Sequence, residues 1–265
     1  MQMSLSQRSD PAPAYLGFDR NEYPGDENLA ILRKSFAYTG YWLNNPPGAS
    51  SNSWRGKRQA LNSAGFGFLV LFNGRTDAQI KSGGDPRVQG TADAKAATAS
   101  AKSEGFPPHT IIFLDQEEGG RLLQEQQAYV YAWVDEATAA GHEAGIYCSG
   151  IAFREGNGTV VNTADNIREN AGQRKIAYWV VNDACPPSPG CSFLTEAPAP
   201  SKSGIRYADI WQYAQSPKRK DVARSCSNYG GDGNCYPPGV KPATRIHIDL
   251  NTAKLADPSN GRTEK

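Results

Sequence analysis

Residues 110–120 read TIIFLDQEEGG, and this stretch decides how the rest of the chain is interpreted. Four β-prone apolar residues, 111–114, lead without a charge into the polar run 115–118. An unbroken apolar run predicts a strand that is covered on both faces, as in a parallel sheet flanked by helices. Because side chains alternate along a strand, Asp115 and Glu117 would project together from its C-terminal end.

The two acids allow a functional and a structural interpretation. Neighbouring carboxylates repel each other and burial raises the pKa of at least one, so packing alone does not require them. An acid that holds its proton beside an ionised partner is the pairing used in glycoside hydrolysis, and α/β barrels carry catalytic groups at the C-terminal ends of strands. In the structural alternative, Asp115 is the N-cap of a helix whose first turn contains Glu117 and Glu118.

Length and composition favour one folded domain. The 265 residues are 38% hydrophobic and 21% charged, which is enough for a packed core. The net charge is +1 with both signs interspersed, so the chain lacks the basic footprint of a nucleic-acid-binding protein. No apolar run approaches the roughly 20 residues of a membrane span. We expect a monomer whose domain covers residues 15–265 and follows a disordered polar tail at 1–14, which lacks the apolar centre of a secretion signal.

Four of the five cysteines lie in turn-rich sequence. Cys185 and Cys191 bracket PPSPG, while Cys226 and Cys235 bracket SNYGGDGN. Such segments bury little core, and a disulfide contributes roughly 2–3 kcal/mol to a short loop. Three pairings of four cysteines are possible, and pairing between sequence neighbours is our first choice. Disulfides favour a secreted or cell-envelope protein, and the remaining Cys148 is predicted to be a buried thiol.

Metal and cofactor sites are not predicted. None of the cysteines forms a Cys-x-x-Cys pair, and the three histidines are scattered along the chain. No glycine-rich phosphate fingerprint is present. We therefore expect a protein that works without a bound cofactor or metal.

Eight strand-like segments alternate with helix-like or irregular sequence. The clearest helix is predicted over 121–140, where an apolar stripe of period 3.6 ends at Gly141, and an alanine-rich helix is predicted over 91–104. Eight strands in a chain of this size favour a single closed (β/α)8, TIM-like barrel over an open sheet. The last two helices should be short or missing, because the late loops are long and rich in proline. The segments begin near residues 15, 36, 66, 110, 143, 175, 208 and 245.

Polar residues follow nearly every predicted strand. A barrel gathers its C-terminal strand ends around one mouth, where acids and amides can bind sugar hydroxyls and aromatic rings can cover sugar C–H faces. In the structural alternative, Asp19 pairs with Arg20, Asp249 caps a final helix that begins at Asn251, and the tryptophans are core residues. We predict a glycan site whose binding residues include Trp42, Asn73, Tyr147, Trp179, Asn182, Asp183, Trp211, Gln212, Tyr213 and Asp249.

Arg20 and Arg75 also follow predicted strand ends. If they face the mouth, each can pair with an anionic sugar substituent such as a uronate, a lactyl carboxylate or a phosphate. The alternative is a local salt bridge with the acidic cluster. The predicted partner is therefore a polysaccharide or a peptidoglycan-type glycan that carries anionic groups.

Five short motifs that span nearly the whole chain also carry a family resemblance. Together they resemble glycoside hydrolase family 25, the Chalaropsis-type lysozymes, and still more a related glycoside-hydrolase-like family described as domain of unknown function 1906. In chain order they are GFD at 17–19, DQE at 115–117, GIY at 145–147, WQY at 211–213 and IDLN at 248–251.

The resemblance implies a secreted or envelope-associated barrel that acts on cell-wall glycan. It implies Glu117 as the proton donor, with Asp19, Asp115 and Asp249 completing an acidic cluster. In the leading hypothesis, Glu117 protonates the leaving oxygen while ionised Asp115 or Asp19 stabilises the oxocarbenium-like charge. Attack by a 2-acetamido group of the substrate would give retention of configuration. The competing hypotheses are a glycan-binding module without catalysis and a scaffold in which the acids serve only structure.

Overall fold

The computed structural model describes residues 14–262, in which eight strands close into a barrel. Residues 1–13 of the predicted tail and residues 263–265 lie outside the described part. A short antiparallel hairpin of β6 (Phe153–Arg154) and β7 (Val160–Val161) follows the fifth barrel strand. The barrel strands are β1 (Tyr15–Asp19), β2 (Tyr38–Trp42), β3 (Gly67–Asn73), β4 (Ile111–Asp115), β5 (Glu143–Ser149), β8 (Ile176–Val181), β9 (Ile210–Ala214) and β10 (Asp249–Ala253).

The closed barrel confirms the predicted α/β fold class, but the direction of its last strand differs from the prediction. Seven strands are parallel in the order β1-β2-β3-β4-β5-β8-β9. β10 closes the barrel by running antiparallel to both β9 and β1. The chain stays on the mouth side after β9, so β10 enters from there and begins, rather than ends, with Asp249. Asp249 is the register partner of Asp19 and so still reaches the mouth.

Helices cover the first half of the barrel. α4 begins earlier than predicted, because Asp85 caps its N-terminus and Pro86 occupies its first position. The N-cap alternative for Asp115 is wrong, since β4 includes this residue and α5 begins only at Gln124. The helices are α1 (Leu29–Leu32), α2 (Arg58–Ser63), α3 (Asp77–Ser82), α4 (Pro86–Ser103), α5 (Gln124–Ala139) and α6 (Thr163–Asn170).

The late helices are missing, as predicted. Between β8 and β9 the described helical structure is the 3-10 turn Pro200–Ser203, and between β9 and β10 it is the 3-10 turn Pro242–Thr244. Proline-rich loops therefore replace the helices that would otherwise cover this side of the barrel.

Close packing depends on two glycines. A Cβ on Gly90 of α4 would lie 2.2 Å from the carbonyl oxygen of Tyr129 on α5, so this glycine allows the two helices to meet. A Cβ on Gly17 of β1 would lie 2.3 Å from the ring of Tyr38, which is fully buried. The helix layer and the barrel thus each have a position that tolerates no larger side chain without movement of its neighbours.

Two disulfides join the late loops to each other. Cys185 bonds to Cys226 and Cys191 bonds to Cys235, so our first choice of pairing between sequence neighbours is wrong. The loop after β8 and the loop after β9 lie side by side, which brings the paired Cα atoms to 5.3 and 5.5 Å. Cys148 on β5 is a free, buried thiol, as the sequence predicts.

Candidate active site

A cavity of about 320 Å³ opens at the end of the barrel where the parallel strands terminate. Five carboxylates line it: the four predicted acids Asp19, Asp115, Glu117 and Asp249, and also Glu22. Asp19 and Asp115 are the last residues of β1 and β4, Asp249 is the first residue of β10, and Glu117 lies in the loop after β4. The structure therefore brings together the four predicted acids from three segments that are far apart in sequence.

Backbone geometry brings these side chains into place. A Cβ on Gly40 of β2 would lie 2.7 Å from the Cβ of Asp19, so the neighbouring strand leaves room for this acid. Asp115 is in register with Tyr147 on β5, and Tyr147 is in register with Trp179 on β8. The rings of Tyr147 and Trp179 lie 4.4 Å apart and form an aromatic part of the cavity wall.

A buried hydrogen-bond network holds Asp19. Gln212 Nε2 and Asn251 Nδ2 donate to Asp19 Oδ1 at 3.0 and 2.6 Å. Tyr147 donates its hydroxyl to Gln212 Oε1 at 2.7 Å, and Trp179 donates from Nε1 to Asn251 Oδ1 at 2.8 Å. Each amide is thus fixed by a second side chain, and both of the bonds they donate to Asp19 favour its charged form.

The acids of the network have raised pKa values. Burial raises the pKa of Asp19 to about 6, against the opposing effect of the bonds from Asn251 and Gln212. Burial and then the charge of Asp19 raise the pKa of Asp249, although Ser216 N–H donates to its Oδ1 at 2.6 Å. Close carboxylates in a poorly hydrated site cannot all ionise easily, so this group holds protons more firmly than exposed acids do.

Asp115 and Glu117 differ in their surroundings. Asp115 is 6% exposed, and its Oδ1 has no hydrogen-bond partner within residues 14–262. Burial, followed by the charges of Glu117 and Asp19, raises the pKa of Asp115 well above its ordinary value. Glu117 is an exposed residue on the rim, yet its loop removes part of the water from its carboxyl. This desolvation and the charge of Glu118 raise the pKa of Glu117.

Half of the predicted glycan-binding residues line the cavity. Trp42 is buried and donates from Nε1 to the backbone oxygen of Arg20 at 3.1 Å, so the two lie together at the wall. The predicted residues that line the cavity are Arg20, Trp42, Tyr147, Trp179, Gln212 and Asp249.

Two predicted binding residues of β3 and its following loop lie outside the cavity lining. Arg75 forms a two-point ion pair with Asp93 of α4 at 2.6 and 2.8 Å, which corresponds to the salt-bridge alternative, although with a different acid. Asn73 donates its amide to the backbone oxygen of Asn45 at 3.0 Å. Both side chains are therefore engaged in contacts between elements of the barrel.

The other four predicted residues outside the lining support the late loops. Asp183 is fully buried in an ion pair with Arg219. Tyr213 donates its hydroxyl to the backbone oxygen of Ser192 at 2.9 Å. Asn182 donates its amide to the backbone oxygen of Ser203 at 2.7 Å, and Trp211 donates from Nε1 to the backbone oxygen of Asn182 at 2.9 Å.

Sequence reasoning missed several residues at the site. Asn251 belongs to the IDLN motif but was not predicted as a site residue, and the structural alternative made it a helix start. It lies in β10 and donates to Asp19. Its spacing of two from Asp249 places both on the same face of a strand, and this period could have revealed it. The other cavity residues that were not predicted are Asn21, Glu22, Pro47, Gln215, Ser216 and His247.

The fold and the site together define a glycoside-hydrolase-like barrel with a cluster of acids at its mouth. The chain belongs to the Rv2525c-like, glycoside hydrolase-like domain family, whose sequence model matches residues 36–188. This finding agrees with the resemblance inferred from the five motifs. No significant match was found among curated proteins.

Solved structures from several bacteria share the fold. An uncharacterized B. stearothermophilus protein superposes with a TM-score of 0.58 at 19% identity, covering 92% of this chain and 99% of that one. The Mycobacterium tuberculosis Tat-secreted protein Rv2525c, in complex with L-tartrate, gives 0.52 at 13% identity, with coverages of 91% and 95%. A bacterial lysozyme from Streptomyces coelicolor gives 0.51 at 14% identity, with coverages of 94% and 98%. At these identities the likeness concerns the fold alone.

Two kinds of feature are absent from the described part of the chain. Within residues 14–262, no helix has the length and apolar character needed to cross a membrane. The same residues contain no group of three or more histidine, cysteine, aspartate or glutamate side chains arranged to hold a metal ion.

Proposed function

We propose that this protein is a glycosidase that cleaves a cell-wall polysaccharide. The observation that carries the proposal is the convergence of the four predicted acids, in different environments, on one cavity with an aromatic wall. Glycoside hydrolysis needs one carboxyl that holds its proton and a second that bears charge. Environments that separate the pKa values of nearby acids supply that pairing.

Glu117 is the proposed proton donor. It stands on the rim of the cavity, where a glycosidic oxygen can reach it, and its pKa is raised by desolvation and by Glu118. A carboxyl with a raised pKa retains its proton closer to neutral pH and can deliver it to the leaving oxygen. Solvent access at the rim then allows it to be reprotonated after each turnover.

Asp19 is the proposed ionised partner. The sequence left this role to Asp115 or Asp19, and the hydrogen bonds favour Asp19, because two amide donors stabilise its charge. Asp115 has no such donor at Oδ1 within the described residues. Burial raises its pKa, and the charges of its carboxyl neighbours raise it further. These effects favour the protonated form of Asp115, in which it can donate a hydrogen bond to the substrate. A 2-acetamido group held in this way could attack the anomeric carbon, and the product would retain its configuration.

The proposed setting is the cell exterior or envelope, with the protein acting as a monomer. Two disulfides cross-link loops at the mouth, and such bonds persist in oxidising compartments. Polymeric cell-wall glycan is found there as well.

Substitution of Glu117 by glutamine tests the catalytic role. Glu117→Gln keeps the shape of the side chain and removes its proton-donating group, so release of reducing ends from peptidoglycan should fall about 10²–10⁴-fold. Glu143→Gln is the matched control, because Glu143 is exposed at the start of β5, at the opposite end of the barrel. Thermal melts should be alike for all three proteins. Undiminished release by Glu117→Gln would remove this residue from the mechanism.

A parallel binding assay separates an enzyme from a binding module. Peptidoglycan and a panel of other wall and plant polysaccharides are titrated for binding while reducing-end release and product masses are recorded. The proposal expects release that depends on Glu117. Binding without any release, unchanged in Glu117→Gln, would instead assign the cavity to non-catalytic glycan recognition.

A further inference from the structure

One wall of the cavity carries the guanidinium of Arg20, in contrast to the acids that line the rest of it. Arg20 follows β1 directly and lines the cavity together with His247, which lies two residues before the start of β10. The Arg20 side chain is only 10% exposed. A guanidinium that is desolvated to this degree is normally paired at several of its donors.

Arg20 lacks such pairing. Its Nε is buried and has no hydrogen-bond partner among residues 14–262. Its ion pair is with Glu22, at 3.8 Å from Nη2 to Oε2, and the Glu22 side chain is 82% exposed. An exposed, long contact of this kind contributes little and is easily exchanged for another anion. Arg20 therefore has an unused donor, Nε, in the cavity wall, and its neighbouring Nη2 is only weakly paired with Glu22.

The comparison with Arg75 strengthens this assignment. Arg75 also follows a strand end, but Asp93 satisfies it through two short bonds to Nε and Nη2. Arg20 has the same guanidinium donors, but no acid within residues 14–262 bridges its Nε and Nη2. Burial lowers the pKa values of both Arg20 and His247, and the charge of Arg20 lowers that of His247 further. A negative charge bound between them would oppose both shifts.

We propose that Arg20, with His247 beside it, binds a carboxylate carried by a sugar of the substrate. The carboxylate would accept from Nε and a terminal nitrogen of Arg20 in the two-point arrangement that guanidinium and carboxylate prefer, displacing Glu22. This deepens the proposed function, on which it rests, by specifying an acidic glycan as the substrate. Two sugar types supply the group: one with a lactyl ether and one with a uronate.

Matched pairs of monosaccharides test the inference by isothermal titration calorimetry. N-acetylmuramic acid is compared with N-acetylglucosamine, and D-glucuronate with D-glucose. In each pair the first sugar carries a carboxylate and the second does not. The wild-type protein should bind at least one acid about 10-fold or more tightly than its neutral partner, since a paired charged hydrogen bond contributes at this level. The pair that shows the preference identifies the source of the carboxylate.

Variants then assign the preference to Arg20. Arg20→Gln should bind the acid and its neutral partner equally, and Arg20→Lys, which keeps the charge but not the fork, should fall between Arg20→Gln and wild type. Arg87→Gln, an exposed arginine on α4, is the control that should keep the full preference. Equal binding of acids and neutral sugars by the wild type, no binding of either acid, or a preference that survives in Arg20→Gln would each overturn the inference.

The outcome is independent of catalysis. Monosaccharides contain no bond to cleave, so a protein that releases no reducing ends can still show the acid preference. Conversely, Glu117-dependent cleavage of glycan without any acid preference would overturn the carboxylate site and leave the glycosidase proposal intact.

Discussion

The two halves of the barrel are stabilised by different means. From β1 to β5, connections contain helices, and α4 and α5 bury an apolar layer against each other and the strands. From β8 to β10, the connections contain 3-10 turns and long loops, and two disulfides join these loops. The comparison shows that a barrel strand can be held by a packed helix or by a cross-linked loop, and that only the first requires a periodic apolar sequence.

The halves meet at the acids of the mouth. Asp19 comes from the first strand, while Gln212 and Asn251, which donate to it, come from β9 and β10. The network that stabilises the proposed ionised carboxylate therefore needs both types of scaffold to be in place.

Removal of a buried side chain that packs α5 into the core should have the largest effect on stability. Trp133 of α5 is fully buried, so Trp133→Ala leaves a large cavity and should lower the free energy of unfolding by about 3–5 kcal/mol. Urea denaturation followed by circular dichroism measures it. Val88→Ala, at an exposed position of α4, is the control and should stay within about 0.5 kcal/mol of wild type. If Trp133→Ala lowers the free energy of unfolding as little as Val88→Ala does, helix packing does not stabilise the first half of the barrel.

Removal of one disulfide should have a somewhat smaller effect. Cys185→Ser combined with Cys226→Ser opens a link across 41 residues and should cost about 2–4 kcal/mol, because the unfolded chain regains freedom. Cys148→Ala, which removes a free thiol, serves as the cysteine control. Urea unfolding under oxidising conditions gives the difference. If the double variant matches wild type, the loops hold the second half without their covalent link.

The titration of Asp19, which links the two halves through Gln212 and Asn251, should appear in the pH dependence of stability. The folded-state pKa of Asp19, about 6, lies above the roughly 3.9 of an unfolded aspartate, so the folded protein binds this proton more tightly. The resulting stabilisation is full below pH ~4 and is lost as the pH rises through ~6. The stability of wild type relative to Asp19→Asn should therefore fall by roughly 1–3 kcal/mol between pH 4 and 7.

Urea denaturation at a series of pH values checks this expectation. Wild type and Asp19→Asn are measured side by side, so that titrations shared by both proteins cancel in the difference. Parallel profiles over this range would mean that the two amide donors fully offset the burial of Asp19.

Much of the first half could be predicted because its elements carry local patterns. The apolar run 111–114 and the stripe of 121–140 gave β4 and α5, and the polar residues after the strands located Asp19 and Asp115 at the mouth. Each of these features depends on neighbours in sequence, through side-chain alternation or helical period.

The second half depended on contacts between distant segments, which sequence does not encode locally. The alternation in β10 placed Asp249 correctly but could not give the direction of the strand. The cysteine pairing followed the side-by-side position of two loops, not their sequence spacing. Likewise, nothing near Arg75 in sequence indicated that Asp93, on the second helix after it, would bind it and leave Arg20 as the arginine in the cavity wall.

The antiparallel entry of β10 places a disulfide-bonded cysteine next to the segment that carries Asp249. Cys235, bonded to Cys191, accepts from Ile248 N–H at 2.9 Å and donates its own N–H to Ser216 Oγ at 2.8 Å. Ser216 in turn donates from its backbone nitrogen to Asp249. In a reducing compartment the chain would lack the Cys191–Cys235 bond, and with it the covalent support of the segment that contacts Asp249 through Ser216. Full support of the site would then require oxidation of these two thiols.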